Sequence, residues 1–76
     1  MNNVDHVLDA RGKNCPLPIL EIRKTLKAME TGEVVQMLAT DPGSTNDMKS
    51  FCNQTGHELL SSEQQGADYI FMVRKN

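Results

Sequence analysis

Apolar residues along the chain fall into six stretches whose period switches between two and about 3.6 residues, and a glycine stands at each change: Gly12, Gly32, Gly43, Gly56 and Gly66. Val4 to Asp9 reads as a short strand. A helix follows, beginning near Pro16 and stopping before Gly32, with Ile19, Ile22, Leu26 and Met29 on one side and Glu21, Lys24 and Lys27 on the others. Glu33 to Thr40 is apolar at almost every position except Gln36, the pattern of a strand covered on at least one face in a βαβ unit. Ser44-Thr45-Asn46-Asp47 has the form of a capping box, and Met48, Phe51, Cys52 and Thr55 then share a helical face that ends at Gly56. His57 to Glu63 and Ala67 to Arg74 read as a hairpin turning at Gln64-Gln65-Gly66. The order βαβαββ predicts an α/β (α+β) two-layer sandwich, with a four-stranded mixed sheet and two helices on one face, as a single domain over residues 1–76.

Composition narrows what such a domain does. With 76 residues there is material for one core but not for a deep, enclosed active site as well, so any chemistry is expected at the surface. The formal charge is −2, and the eight Lys and Arg are interspersed with ten acids, so a direct nucleic-acid footprint is not expected. The first residues have neither the basic nor the apolar region of a signal peptide, and no apolar run approaches a membrane span; a cytoplasmic protein is expected. The two cysteines then read as reduced thiols. Neither Cys-x-x-Cys nor paired Cys/His spacing occurs, and there is no phosphate-binding Gly-x-x-x-x-Gly-Lys-Ser/Thr loop. No metal or cofactor is expected.

Candidate chemistry centres on Cys15, in the run Gly12-Lys13-Asn14-Cys15-Pro16-Leu17-Pro18. Pro16 suits the first helical position, which places Cys15 at or beside the N-cap. There the helix dipole, with Arg11 and Lys13 in the same loop, favours a thiolate. Pro16 and Pro18 remove two N–H groups and leave those of Leu17 and Ile19 as donors, so a moderately lowered pKa is expected, and the prolines chiefly fix where the sulfur points. The competing reading makes Cys15 a small packed residue and the prolines ordinary helix-start punctuation. Arg11, Lys13, Arg23 and Lys24 are candidates for a basic collar around the thiol. Cys52 reads as a packed core thiol, Asp41 as a turn and helix-entry residue, His57 as the residue after a helix stop and His6 as an exposed strand position.

Several blocks in the right order give a wider resemblance: Leu8-Asp9-Ala10-Arg11-Gly12, Cys15-Pro16-Leu17-Pro18, Gly32-Glu33, Ala39-Thr40-Asp41-Pro42-Gly43-Ser44, Asp47 and Thr55-Gly56-His57. From Leu8 to Lys75 the chain resembles the TusA/SirA-like family of small sulfur carriers. The resemblance implies the same βαβαββ sandwich. It also implies that Cys15 accepts sulfane sulfur as a persulfide and passes it on, with Gly12, Pro16 and Pro18 supporting the motif. The implied partners are a sulfur-donor protein, either a cysteine desulfurase or rhodanese-like, and an acceptor serving tRNA thiolation, molybdenum-cofactor metabolism or sulfur oxidation. Family members devoted to tRNA thiolation tend to carry Glu where Leu17 stands, and Leu is usual where Lys13 stands. Arg11, Lys13 and Leu17 are thus the expected partner-docking residues, with altered partner choice. The alternative keeps the fold as a noncatalytic regulatory or interaction module with a redox-sensing Cys15.

Overall fold

The structure, a computed structural model, describes residues 4–76. Its elements are β1 (His6–Ala10), α1 (Leu17–Ala28), β2 (Val34–Ala39), α2 (Ser44–Thr55), β3 (Glu58–Gln65) and β4 (Asp68–Arg74). The strands form one sheet in the order β1-β2-β4-β3. β1 and β2 run parallel, joined by α1 as the crossover, while β4 is antiparallel to both β2 and β3. The mixed sheet and the βαβαββ order agree with the sequence pattern. β1 begins later than expected, at His6, because the Asp5 carboxylate takes the Val34 N–H (2.9 Å) and the Asp5 N–H reaches the Val34 carbonyl (2.9 Å).

Alternation decides which side of the sheet is covered. Val35, Met37 and Ala39 of β2 are buried and register with Val73, Phe71 and Tyr69 of β4, and Ala10 of β1 is buried opposite Ala39. Against this face α1 packs on β1 and β2 with Ile22 and Leu26, and α2 packs on β3 and β4 with Met48, Phe51 and Cys52. Met29, at the end of α1, completes the core.

The helix starts differ from the sequence reading. In α1 the cap position is Pro16, so Leu17 is the first helical residue, Pro18 the second, and Cys15 lies outside the cap. Both prolines occupy positions whose N–H groups have no intrahelical acceptor, so neither breaks the helix. In α2 the cap is Gly43, and the expected capping box does not form. Asp41 supplies the turn instead: its carboxylate accepts the Gly43 N–H (3.4 Å) and its carbonyl accepts the Ser44 N–H (3.0 Å). Ser44 is drawn inside, where its Oγ is buried with no hydrogen-bond partner. At the other end Gly56 adopts φ +84° and donates to the Cys52 carbonyl at 2.9 Å, the left-handed stop expected of glycine. Among the described residues no helix is long and apolar enough to cross a membrane.

Candidate functional site

Parallel pairing of β1 and β2 brings the loops that leave their C-terminal ends together, and Cys15 sits where they meet. The first loop turns sharply after Ala10, whose carbonyl accepts the Lys13 N–H at 3.3 Å. Gly12 takes φ +81° in that turn, a conformation that a side chain would strain, and its N–H bonds Thr40 Oγ1 at 2.8 Å. Farther along, the Cys15 N–H donates to Asp41 Oδ2 at 3.1 Å. The loop is therefore tied to the end of β2 at two points, and the Cys15 side chain is left exposed. The Cys15–Pro16 peptide bond is cis. The reading of Cys15 as a packed residue does not hold.

The electrostatic sense of the site is opposite to the one expected. Asp47, from the first turn of α2, brings a carboxylate oxygen within 4.8 Å of the Cys15 sulfur, and as an acceptor for the thiol proton it is the largest cause raising the Cys15 pKa; desolvation and the negative charges of Asp47 and Asp41 push the same way. The cations that should have offset this are engaged elsewhere. Arg11 reaches back to Asp9 (2.9 and 3.0 Å) and toward Asp68 (3.5 Å), and Lys13 binds both oxygens of Glu21 (2.6 and 2.8 Å). The Leu17 N–H, one of the two donors left near the helix start, is taken by the Asn14 carbonyl at 2.8 Å. Among the described residues, no basic collar surrounds the thiol. A thiol that faces a carboxylate and finds its loop cations occupied keeps its proton.

The remaining candidates are spread over the molecule. Leu17 and Leu20 are about half exposed, at 50% and 54%. Leu20 borders a shallow groove of about 380 Å³ with Glu21, Arg23, Lys24 and Lys27, so two expected collar residues lie along α1 instead. The Arg23 guanidinium also lies 5.5 Å from the centroid of the Phe51 ring. Cys52 is buried as expected, and burial raises its pKa. His57 accepts the Asn76 N–H at 3.1 Å and packs near Phe51; burial, then the charge of Lys75, lowers its pKa. His6 is half-buried against Glu33, 3.2 Å away, rather than free on the strand.

Asp47 is the residue that the sequence reading missed as part of the site. Its spacing from Ser44 suggested a capping box, a local role that concealed its position beside Cys15. Among the described residues, the sulfur of Cys15 and one oxygen each from Asp41 and Asp47 form a group within 4.8 Å of one another. Asp41 is already engaged with the Cys15 and Gly43 N–H groups, and no metal is assigned to this group.

Residues 6–75 match the protein-family model for "Sulfurtransferase TusA". The chain is 49% identical, over 76 residues and the full length of both, to the protein described as "Sulfur carrier protein TusA" of Allochromatium vinosum. In three dimensions it resembles the crystal structure of a SirA-like protein from Desulfitobacterium hafniense, with a TM-score of 0.78 at 22% identity, covering 91% of this chain and 95% of the other. The last likeness shows the shared fold.

Proposed function

Because this chain belongs to the TusA sulfurtransferase family and is a carrier working between donor and acceptor proteins in a sulfur relay, we propose that the atom that holds the sulfur is Cys15 Sγ. The observation supporting this assignment is the contrast between the two thiols: Cys15 is exposed on a loop tied to the sheet, whereas Cys52 is packed in the core. In the transfer, Cys15 thiolate attacks the outer sulfur of a donor persulfide. A new Sγ–S bond forms, the donor's S–S bond breaks, and its electron pair leaves on the donor thiolate. Delivery repeats the exchange in the opposite sense, with the acceptor's nucleophile attacking the terminal sulfur. The new sulfur stands about 2 Å beyond Sγ, toward the partner.

We further propose a cysteine desulfurase or a rhodanese-like protein as donor and a cytoplasmic setting. The docking surface runs from the Cys15 loop along the start of α1, where Leu17 and Leu20 offer apolar contact. Lys13 and Arg11 belong to that loop but are each paired with an acid of their own chain, whereas Asp41 and Asp47 bring carboxylate oxygens within 4.8 Å of the sulfur, so a partner meets an acidic surface around the thiol. Leu17 at this surface favours a donor or acceptor face with an apolar counterpart. No step needs a cofactor or a metal on this chain.

Cyanolysis tests the site. After incubation with a persulfide donor and desalting, the wild type should release thiocyanate at a ratio approaching one per chain, and Cys15→Ser should release none, while Cys52→Ser retains the wild-type yield. Equal yields from wild type and Cys15→Ser would refute the assignment.

A further inference from the structure

The acidic groups set against Cys15 distinguish it from an activated thiol. From α2 comes Asp47, with a carboxylate oxygen within 4.8 Å of the sulfur, and from the loop after β2 comes Asp41, whose Oδ2 holds the Cys15 N–H at 3.1 Å. The start of α1, packed beside them, contributes Pro16, Leu17 and Pro18 and no charge. Its first acid, Glu21, is engaged by Lys13. Arg11 is held by Asp9 and Asp68. The sulfur thus faces two carboxylates, and each cation of its own loop is paired with another acid.

We propose that Asp47 is a positioning residue that holds the proton on Cys15 in the free carrier, and that a cationic side chain brought by the docked sulfur donor releases it. This inference rests on Cys15 as the persulfide site and adds to it the chemistry required of the donor's face. Asp47 cannot serve as the base that removes the proton, since a carboxylate is a base roughly 10⁴-fold weaker than a thiolate. What its oxygen can do is accept the S–H and disfavour a second negative charge beside its own. Pairing Asp47 with a lysine or arginine of the donor removes both effects at the moment of contact. The exchange balances as Cys15–SH plus R–S–S⁻ giving Cys15–S–S⁻ plus R–SH. The proton passes from Cys15 to the departing donor sulfur, the sulfane sulfur moves between two equivalent sulfurs, and no external oxidant or reductant takes part. Between encounters the exposed thiol stays protonated and slow toward alkylating and oxidising agents, since the thiolate is the reactive form. Selectivity follows as well, because a persulfide arriving without an adjacent cation meets a quiet thiol.

The test is the pH dependence of Cys15 alkylation by iodoacetamide in the free protein at low ionic strength, read by mass spectrometry for wild type, Asp47→Asn and Asp47→Glu. Removing one like charge within 4.8 Å changes the thiolate population by roughly fourfold even at the dielectric constant of water. Asp47→Asn should therefore react about fourfold faster at pH 7, with its profile displaced toward lower pH, and Asp47→Glu should follow the wild type. A profile for Asp47→Asn that superimposes on the wild type, or moves to higher pH, overturns the proposal. Should that variant not fold, the wild type supplies the second reading: added salt screens the carboxylates and should speed alkylation at pH 7, and an unchanged or slower rate overturns the proposal equally. Failure of the underlying site is separable, since sulfur uptake by Cys15→Ser would refute the persulfide assignment whatever the alkylation profiles show.

Discussion

Asp9, near the end of β1, and Cys15, in the loop that follows, have their acid–base behaviour driven apart by what faces each. The Arg11 guanidinium hydrogen-bonds Asp9 and holds its carboxyl at about 2, below the ordinary 3.8. A carboxylate depressed on folding contributes stability that is present above its unfolded value and lost as pH falls toward the folded one. Asp9→Asn should therefore flatten the fall in denaturation midpoint between about pH 4 and pH 2, an effect that added salt shrinks because the pair is exposed. Cys15 faces carboxylates instead, and the same reasoning makes it a slow thiol. At pH 7 it should alkylate more slowly than a cysteine in an unstructured peptide, and Cys52 should alkylate only on unfolding, as peptide mapping after timed exposure would show. The position of Cys15 at a helix start was legible from the proline spacing. Its electrostatics were not, because Arg11 and Lys13 are close to Cys15 in the chain, while Asp9, Glu21 and Asp68 claim them in space.

Both helices show where local patterns suffice and where they fail. The core face of α1 followed from period alone: Ile22, Leu26 and Met29 are buried, with Ile19 partly so. The start of α2 followed only in part: Asp41 forms the turn and helix entry expected of it, and because it already satisfies that turn, the serine and aspartate at capping-box spacing do not cap. This difference has a measurable consequence. A capping serine replaced by alanine costs about 0.5–2 kcal/mol. Ser44 instead buries an unpartnered hydroxyl, so Ser44→Ala should raise stability by up to about 1 kcal/mol in denaturant titration. Gly56 behaves as its sequence position suggested. At φ +84° an added Cβ would also meet Asn76 Nδ2 at 2.9 Å, so Gly56→Ala should destabilise by about 1–2 kcal/mol in the same assay.

Across the whole molecule, the sheet order explains how so small a chain presents an exposed cysteine. One core, with Phe71 fully buried at its centre, is formed by a single face of the sheet and both helices. Phe71→Ala should cost about 3–5 kcal/mol, which for a domain of this size threatens folding, and circular dichroism melts would report it. The parallel β1–β2 pair then gathers the Cys15 loop and the Asp41 loop at one end, held by the Gly12–Thr40 and Cys15–Asp41 hydrogen bonds. The βαβαββ order was legible in the chain. The meeting of Cys15, Asp41 and Asp47 was not, since it depends on β2 lying beside β1 and on α2 entering beside the same loop. The division of labour between a buried Cys52 and an exposed Cys15 is the central claim, and intact-mass analysis tests it most directly. After incubation of wild type, Cys15→Ser and Cys52→Ser with a persulfide donor, one added sulfur, removable by a reductant, should appear on wild type and Cys52→Ser and be missing from Cys15→Ser; the same addition on Cys15→Ser would contradict the account.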